Sequence, residues 1–389
     1  WNIETFPKRY NTTQTVYEII NALEVDIISL QEIQNGSYFL QLVNELNNSG
    51  ASGNWVGYRT GEDSNNLKLA YLINGATVEI IKEPYTILEE GADYFAKRLP
   101  YVLEVSYSGK NLFIINNHFK CCGDGSIDES DNEDEEYLRQ QANILLEEYI
   151  NNYFADKNVI ILGDLNDEIQ EEEANNVFWN FISKPDEYLF ADMDIAMGDT
   201  DNWSWPGWSS NYSATHLMHI LISNELFVGF NNDGSIVQTI LLDDHFTDGL
   251  VYDNFISDHR PLGMRLFYLA GCTDPDATNY NENATENDGS CECNEGYTPI
   301  DGECYYALNN HLLNGAWIVV QQENPAVYII FNGEGLITGL GGYFMPDTAG
   351  WYSVGSDGGS ISGSIWDANT NFPYTGQILN ETTADLNIV

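Results

Sequence analysis

Several β-rich runs of this sequence stop abruptly on polar side chains, and this pattern constrains the fold more than any other feature. In the run "VIILGDLND", four apolar residues from Val159 to Leu162 are followed by Asp164, Asn166 and Asp167. A turn accounts for one such side chain, because Asp and Asn tolerate tight backbone geometry. Three acceptor-rich side chains within four residues, at the carboxyl end of a core strand, instead predict a functional site.

Runs of this type recur along residues 1–269 and alternate with segments of helical periodicity. Helical spacing of apolar residues covers Thr15–Glu24 and Tyr137–Phe154. The β-rich runs are Val25–Ile33, Leu67–Ile73, Pro100–Tyr107, Asn111–Phe119, Asn158–Leu165 and His219–Ser223. Strands mixed with helices over this length predict an α/β fold in which helices cover packed β-sheets.

The composition changes twice after this region. Residues 270–304 contain four cysteines in a segment that is dense in Asp and Asn and poor in aliphatic side chains. Such a segment cannot bury a core of its own, so disulfides or metal ions must stabilise it. Residues 305–389 consist of short alternating runs with Gly and Asn-Gly turns, which indicates a small all-β domain. We therefore expect three domains, at 1–269, 270–304 and 305–389.

The chain is strongly acidic. Its 389 residues include 60 Asp and Glu against 14 Lys and Arg, which gives a formal net charge of -46. A surface of this kind repels nucleic-acid phosphates and anionic lipids, and divalent cations or high salt would moderate the repulsion. No apolar stretch approaches the roughly 18 residues that a membrane span requires.

Polar side chains collect at the ends of several predicted strands. They are Asn2 and Glu4, Gln31 and Glu32, His118, Asp164 and Asn166, and the group Ser257, Asp258, His259 and Arg260. A single one of them is more typical of a turn, but sheet-based folds assemble sites where strands end. Carboxylate and amide oxygens suit Mg²⁺, Mn²⁺ or Ca²⁺, and histidines suit acid–base roles. The set predicts metal-assisted attack of water on a phosphodiester.

These motifs resemble those of the endonuclease/exonuclease/phosphatase superfamily, the deoxyribonuclease I-like fold. "WNIETF", "DIISLQEIQ", "RLPYVLEV", "NNHFK", "VIILGDLND", "HILIS" and "ISDHRPL" occur in the order seen in that family. The resemblance implies a four-layer sandwich of two packed β-sheets flanked by helices, with the site at one end. It also implies Mg²⁺ or Mn²⁺ as the cofactor.

The resemblance assigns metal and water roles to five of these residues. Asn2, Glu32 and Asp258 look like residues that hold or contact the metal. Asp164 and Asn166 resemble the pair that orients the attacking water and holds the phosphate. On this interpretation the β-strand at Val159 ends on acceptors because it delivers them to a metal and a water.

Three further residues resemble those that act on the substrate phosphate. His259 looks like the histidine that contacts the scissile phosphate or acts as base. His118 is similar to the second histidine of the secreted nuclease branch, an acid on the leaving oxygen. Arg98 resembles an arginine that contacts the substrate phosphate.

One position departs from the family pattern. Members usually carry an aspartate that orients the histidine of "SDH", and the segment "THLMHILIS" has Met218 at that position. Loss of the carboxylate removes a tautomer lock and a stabilising charge from the imidazole. Either His216 or His219 takes part in a different way, or His259 is less effective. Because the rest of the set is intact, we expect an active hydrolase.

The sequence allows more than one substrate class. The pairing of "NNHFK" with Arg98 favours an extracellular nuclease acting on DNA or RNA, with a local basic patch of Lys97, Arg98, Lys120 and Arg260. The charge opposes this, because a basic groove for duplex DNA is lacking. The alternatives are a phosphodiesterase or phosphatase on other substrates, and a catalytically weakened nuclease fold that serves as a surface or structural protein.

The cysteine-rich segment resembles the Asp/Asn-rich cysteine repeat of secreted proteins from marine Bacteroidetes-type bacteria. This favours an extracellular or cell-surface location, with possible attachment through the C-terminal domains. The simplest pairings are Cys272–Cys291 and Cys293–Cys304, although spacing alone allows three connectivities. Its oxygen-bearing side chains either bind structural Ca²⁺ or belong to a solvated linker; the candidates are Asp274, Asp276, Asn279 and Asp288.

Cys121 and Cys122 are adjacent and follow "NNHFK" directly. We expect a vicinal disulfide or a structural pair that stiffens this loop, and a redox or metal role is the alternative.

Overall fold

The computed structural model describes residues 1–294 apart from short gaps, and beyond residue 294 it describes only the backbone of the strands. The gaps are 49–52, 62–66, 108, 209–212, 282–283 and 285. The chain divides into two compact units, Trp1–Phe267 and Tyr268–Val389. The finer division at residue 304 stays a prediction.

Two mixed β-sheets form the centre of the first unit. One has the order β1-β2-β4-β3 and contains β1 (Asn2–Phe6), β2 (Ile27–Ile33), β3 (Trp55–Arg59) and β4 (Lys68–Asn74). The other has the order β5-β6-β7-β8-β10-β9 and contains β5 (Glu79–Thr86), β6 (Tyr101–Tyr107), β7 (Lys110–His118), β8 (Asn158–Asp164), β9 (Tyr188–Phe190) and β10 (Met218–Ser223). The parallel pairs are β1–β2 and β7–β8, so within each pair the two strands have their carboxyl ends at the same edge of the sheet.

Helices and a small two-stranded sheet complete the first unit. The helices are α1 (Thr12–Leu23), α2 (Gly36–Asn48), α3 (Glu135–Tyr153), α4 (Trp179–Ile182), α5 (Met193–Ala196), α6 (Phe227–Phe230) and α7 (Gly249–Phe255). The small sheet pairs β11 (Ile236–Thr239) with β12 (Leu262–Arg265). The side chain of Asp134, the N-cap of helix α3, accepts a hydrogen bond from the Tyr137 amide. None of the helices in the described part of the chain is long and apolar enough to cross a lipid bilayer.

The central strands are buried on both faces, which explains their continuous apolar sequence. In β4, Tyr71 and its alternate neighbours pack between the two sheets, whereas Ala70 and Leu72 pack against α1 and α2. In β8, Ile160 packs between the sheets, and Val159 and Ile161 pack with α3. The layers are therefore helix, sheet, sheet, helix, and the predicted four-layer sandwich is confirmed.

A buried hydrogen-bond network joins the end of β7 to the other sheet. The Asn116 side-chain amide donates to the carbonyls of Leu30 and Ala70, both at 3.1 Å. Gln31 Nε2 donates to Asn116 Oδ1 at 2.6 Å. These bonds hold the carboxyl ends of β2 and β7 side by side.

The second unit is an array of strands that follows a disulfide-bonded segment. Its strands are β13 (Ala270–Gly271), β14 (Glu286–Asn287), β15 (Tyr297–Ile300), β16 (Glu303–Tyr306), β17 (Gly315–Gln321), β18 (Asn324–Phe331), β19 (Leu336–Leu340), β20 (Tyr343–Phe344), β21 (Gly350–Val354), β22 (Ser360–Asp367), β23 (Thr370–Asn380) and β24 (Thr383–Ile388). A disulfide joins Cys272 and Cys291 as predicted. Cys293 is also disulfide-bonded, and the side chain of its predicted partner Cys304 lies outside the described residues.

The four calcium candidates of this segment take part in hydrogen bonds within it, two of them in local turns and two with residues farther along the chain. Oδ1 of Asp274 and Oδ1 of Asp288 each accept an amide hydrogen bond at 2.8 Å from the residue two positions on. Asn279 donates to the Ser290 carbonyl at 2.7 Å and accepts from the Glu292 amide at 2.8 Å. The Asp276 main-chain carbonyl accepts from Asn294. Calcium binding by these residues stays a prediction.

Candidate active site

The first residue of β1 and the carboxyl ends of β2, β7 and β8 place their polar side chains in one cluster. The Asn2 amide nitrogen donates to Asp164 Oδ2 at 2.8 Å and to Glu32 Oε1 at 3.2 Å. His118 lies opposite Asp164 in the parallel register of β7 and β8. The chain segment that follows α7 adds His259. The structure thus brings together five of the predicted site residues, which are separated by up to 257 positions in the sequence.

Two buried histidines face Asp164, one from β7 and one from the segment that follows α7. His118 Nε2 lies 3.7 Å and His259 Nε2 lies 3.6 Å from Asp164 Oδ2. Burial alone would raise the pKa of Asp164, but attraction to His259 and His118 and the bond from Asn2 outweigh it and lower the pKa. Asp164 is therefore ionised at neutral pH and accepts hydrogen bonds only.

His118 is neutral at physiological pH. Its burial, together with repulsion from the Arg98 guanidinium, lowers the pKa of His118 to about 3. A neutral ring donates or accepts a hydrogen bond at Nε2, but it carries no imidazolium charge. The acid role that the resemblance implies is then limited to a hydrogen bond on the leaving oxygen.

Each of these two histidines has one ring nitrogen without a partner. Nδ1 of His118 and Nδ1 of His259 are both buried and make no hydrogen bond among the described residues. Met218 stands at the position where the family resemblance predicts an aspartate that orients His259. Met218 pairs with Asp164 in the antiparallel register of β10 and β8, so the two side chains share a face. His216 and His219 do not take over the role, because both bind Asp192.

Asp258 is held from two sides at the edge of the cluster. The Trp205 indole donates to Asp258 Oδ2 at 3.1 Å, and the Asp258 amide donates to Glu4 Oε2 at 3.1 Å. Oδ1 of Asp258 lies 3.8 Å from His259 Nε2 and is buried without a hydrogen-bond partner in the described part of the chain. An unpaired buried carboxylate oxygen beside a histidine is a candidate ligand for a cation.

Asn166 and Arg98 are anchored by the main chain after β7. Asn166 has a left-handed backbone with φ 54°, which Asn tolerates, and its amide nitrogen donates to the Phe119 carbonyl at 3.2 Å. Arg98 donates through Nε to the His118 carbonyl at 2.8 Å and through Nη2 to the Phe119 carbonyl. Contact of Arg98 with a substrate phosphate stays a prediction, since these two donors already hold the backbone.

Asn2 has an orientation that does not favour its predicted role as a ligand. Its amide nitrogen faces the carboxylates of Glu32 and Asp164, and its oxygen accepts a hydrogen bond from the Glu4 amide at 3.0 Å. In this arrangement Asn2 joins the two acids instead of adding an oxygen to them.

The expected basic patch is not a patch of free positive charge. Arg260 makes a bidentate ion pair with Asp243 at 2.7 and 2.6 Å and also binds two main-chain carbonyls. Lys97 pairs with Asp93, and Lys120 lies 3.3 Å from Glu135. Because acids pair with Arg260, Lys97 and Lys120, these side chains do not form the local basic patch that the sequence suggested.

Cys121 and Cys122 are exposed free thiols in the structure, with their sulfur atoms 2.9 Å apart. The predicted vicinal disulfide is not formed in this state, and its formation under oxidising conditions stays a prediction.

A second polar cluster, which the sequence did not predict, contains Asp192, His216 and His219. All three are buried, and each offers one ligand atom within 4.8 Å of the others. His216 Nε2 and His219 Nδ1 lie 3.0 and 2.7 Å from Asp192 Oδ2. These are hydrogen-bond distances, so the group holds together without an ion, although its composition would suit one. The available signal was Asp192 at the end of the short run "YLFAD", a strand end like the others.

The family profile described as "Endonuclease/Exonuclease/phosphatase family" matches residues 1–259. The chain belongs to this family. At family level its chemistry is the hydrolysis of phosphodiester bonds, and members typically use divalent metals. A search of the curated proteins found no match.

Solved structures with a similar fold include humanized D. rerio TDP2 with 14 mutations, an endonuclease/exonuclease/phosphatase from Bacteroides vulgatus, and the human Nocturnin catalytic domain with bound sulfate anion. Their sequence identities are 13%, 13% and 18%, and their TM-scores are 0.47, 0.46 and 0.43. The alignments cover 67%, 68% and 62% of this chain and 94%, 97% and 84% of those chains. At these values the likeness extends to the fold alone.

Proposed function

We propose that the chain is a divalent-metal-dependent phosphodiester hydrolase that acts outside the cell, with nucleic acid as its substrate. One observation carries this proposal. Asp164 Oδ2 lies 2.8 Å from the Asn2 amide and 3.6 and 3.7 Å from the Nε2 atoms of two buried histidines, at the end of a sheet. An ionised acceptor suits the orientation of an attacking water, and the imidazoles on either side of it can donate hydrogen bonds to a phosphate.

The donor set fits a hard divalent cation. Burial raises the pKa of Glu32, even though bonds from Asn2 and the Thr5 amide lower it, and the nearby charge of Asp164 raises it further. A cation between these carboxylates would relieve both effects. Glu32, Asp164 and Asp258 would hold it, since their oxygens suit Mg²⁺ or Mn²⁺. When bound, the ion lowers the pKa of a water and neutralises charge on the phosphate.

The protein's own groups divide the remaining work. Asp164, which stays ionised, accepts a hydrogen bond from the attacking water and orients it. Asn166, fixed by the Phe119 carbonyl, is placed to orient a phosphate oxygen. Neutral His118 is placed to donate a hydrogen bond from Nε2 to the leaving oxygen, and His259 Nε2 faces Asp164 from the other side. Exclusion of water by the buried walls strengthens each of these interactions.

The choice of nucleic acid rests on the family and on the motif pair of His118 and Arg98. A net charge of -46 and the pairing of Arg260, Lys97 and Lys120 with acids oppose tight capture of duplex DNA. We infer that single-stranded or flexible substrates, in the presence of divalent cations or high salt, are preferred to duplex. A small phosphodiester or a phosphomonoester is the alternative substrate class.

A weakened site is the second candidate, because one observation favours it. His259 Nδ1 is buried and has no partner among the described residues, and Met218 replaces the carboxylate that the family resemblance predicts. Without that carboxylate the tautomer of His259 is not locked. On this reading the chain serves as a surface or structural protein.

Hydrolysis of linear single-stranded DNA, plasmid DNA, RNA and bis-p-nitrophenyl phosphate, each in Mg²⁺, Mn²⁺ and EDTA, tests the proposal. The proposal expects metal-dependent cleavage that His259→Ala and Asp164→Asn abolish. Cleavage of the small diester alone would leave a general phosphodiesterase. A folded wild-type protein that binds Mn²⁺ and cleaves none of the four would favour the weakened site.

A further inference from the structure

Two buried cationic side chains hold the turn that follows β8 and carries Asn166. Asp167 lies in this turn and is 7% exposed. Its Oδ2 accepts a hydrogen bond from Arg139 Nε at 2.7 Å, and its main-chain carbonyl accepts one from His219 Nε2 at 2.8 Å. Asp167 is thus anchored through its side chain and through its backbone, three residues after Asp164.

The partners of His219 determine its charge. Nδ1 faces Asp192 Oδ2 at 2.7 Å, and Nε2 faces the carbonyl of Asp167 at 2.8 Å. Neither an ionised carboxylate nor a carbonyl has a proton to donate, so both ring nitrogens carry one and the ring is an imidazolium. Burial lowers the pKa of His219, but attraction to Asp192 and the bond to Asp167 outweigh it and raise the pKa.

His216 completes the environment of Asp192 as a neutral ring. Its Nδ1 accepts a hydrogen bond from the Ser204 amide at 3.2 Å, so Nε2 carries the proton that it donates to Asp192 at 3.0 Å. To bind a metal through Nε2, His216 would have to lose this proton and become an imidazolate. The cluster is therefore better described as a hydrogen-bond network around a buried charge pair.

The groups that surround His219 are acids, a neutral histidine and aromatic rings. Asp167 and Glu168 approach from the turn after β8, Asp192 from the residues after β9, and His216 from the residues before β10. The rings of Phe178 and Phe190 pack edge-on at 5.8 and 6.0 Å between centroids. Three acids and a neutral histidine thus face one imidazolium, which favours its protonated form.

Arg139 connects this turn to the segment after β7. Its Nη1 donates to the carbonyls of Lys120 and Cys122 at 2.7 and 2.8 Å, while Nε holds Asp167. The intervening Phe119 carbonyl accepts the Asn166 side chain. A single buried guanidinium therefore spans both loops that surround the candidate site.

We propose that Arg139 and His219 are positioning residues that fix Asp164 and Asn166 for the reaction, with Asp192 keeping His219 charged. This inference rests on the proposed function. Loss of a proton from His219 leaves a ring nitrogen lone pair against the Asp167 carbonyl or the Asp192 carboxylate. The turn then loses one anchor, so activity falls as the pH rises through the pKa of His219.

The test is the pH profile of bis-p-nitrophenyl phosphate hydrolysis by the full chain in Mn²⁺. Asp192→Asn keeps the shape of residue 192 and removes its charge, which lowers the pKa of His219. We expect the alkaline limb of kcat to move down by at least about one pH unit, with KM changed by less than about twofold. The control Glu147→Gln neutralises a buried carboxylate that pairs with Lys184 and Asn180, and it should leave the limb in place.

Several outcomes would overturn the proposal. The proposal is wrong if folded Asp192→Asn keeps the alkaline limb of kcat at the same pH, or if its kcat is lowered by the same factor at every pH. Ring ¹⁵N spectra give a readout without turnover: two protonated nitrogens on His219 at pH 7.5 are expected, and one protonated nitrogen contradicts the proposal.

Two further arms cover misfolding and an inactive wild type. If Asp192→Asn does not fold, the test uses Arg139→Lys, which keeps the positive charge but loses the bridging geometry. The kcat of Arg139→Lys should fall at least about tenfold while the alkaline limb stays in place, and an unchanged kcat overturns the proposal.

If the wild type cleaves nothing, the proposed function has failed. Positioning is then read from Mn²⁺-induced thermal stabilisation at pH 6 and pH 8. It should be lost at pH 8 in Asp192→Asn only, and equal stabilisation in both proteins overturns the proposal.

Discussion

Two pairs of buried histidines in the same sandwich have opposite surroundings. His118 and His259 each present Nε2 to Asp164 at 3.6–3.7 Å, and the Nδ1 atom of each is buried with no partner among the residues that the structure describes. His216 and His219 have every ring nitrogen in a hydrogen bond, at 2.7–3.2 Å. Unpaired buried polar groups lower stability and persist mainly where function requires them. The comparison therefore separates a pair built for chemistry from a pair built for structure.

The same difference sets the charge of each ring. The pKa of His118 is lowered to about 3 by burial and by Arg98, because its nearest carboxylate is 3.7 Å away. The pKa of His219 is raised despite burial, because Asp192 binds the ring directly. His219 is charged because both of its ring nitrogens face acceptors, whereas His216, which also binds Asp192, stays neutral because its Nδ1 accepts a hydrogen bond from the Ser204 amide.

The largest expected effect is on stability and falls on the structural pair. His219→Phe leaves the Asp192 carboxylate buried without its cationic partner, so the free energy of unfolding should fall by roughly 3–5 kcal/mol at pH 6. His118→Phe, the matched control, removes a ring with an unpaired nitrogen and should change it by less than about 1 kcal/mol at pH 7. Urea denaturation measures both. Equal losses in the two variants would break the comparison.

A smaller effect comes from metal binding, which should occur at the cluster around Asp164 and not at the Asp192 cluster. Mn²⁺ at about 100 times its Kd should stabilise the wild type by about 2.7 kcal/mol. Glu32→Gln should remove this stabilisation, and His216→Gln should retain it. Thermal unfolding in Mn²⁺ and in EDTA gives the measurement. The reverse result would move the ion to the Asp192 cluster.

The third effect is the acid dependence of stability in EDTA. Because the folded pKa of His118 is about 3 and the unfolded value is about 6.5, only the unfolded chain takes up a proton between these values. Stability is therefore lost as the pH falls from about 6.5, by about 2 kcal/mol at pH 5. His118→Phe should lack this part of the loss. For His219 the sign is opposite: its contribution is complete below about pH 6.5 and is lost as the pH rises through the raised pKa.

The smallest effect is a gain of activity. Met218 shares a face with Asp164, so Met218→Asp should bring a carboxylate to His259 and lock its tautomer. We expect kcat to rise by about tenfold, equivalent to about 1.4 kcal/mol. Met218→Leu is the apolar control and should leave kcat unchanged. A lower kcat in folded Met218→Asp would show that repulsion from Asp164 outweighs the lock.

The positions of the strand ends were predictable because they depend on local patterns. The β-rich runs and their polar ends predicted that Glu32, His118 and Asp164 lie at one edge, and the parallel pairing of β7 with β8 brings the last two into register. The four-layer fold followed from the same alternation of strands and helices. Met218 also stood out in the sequence, and the unpaired Nδ1 of His259 gives that departure a physical meaning.

The remaining features depend on contacts between distant segments, which no local pattern reveals. Arg260 looked like a free cation beside the site, but Asp243 neutralises it. The link from the Trp205 indole to Asp258, 53 positions away, has no signature in either segment. The Asp192 network needs the ends of β8, β9 and β10 to meet, and only the three-dimensional fold shows that meeting.

The most direct measurement is metal-dependent hydrolysis by the wild type beside His259→Ala and His216→Gln, with single-stranded DNA and bis-p-nitrophenyl phosphate as substrates. The account predicts cleavage in Mn²⁺, a loss of at least about 100-fold in His259→Ala, and nearly full activity in His216→Gln at neutral pH. Full activity in folded His259→Ala, or loss of activity in His216→Gln alone, would contradict the assignment of the chemistry to the histidines that face Asp164.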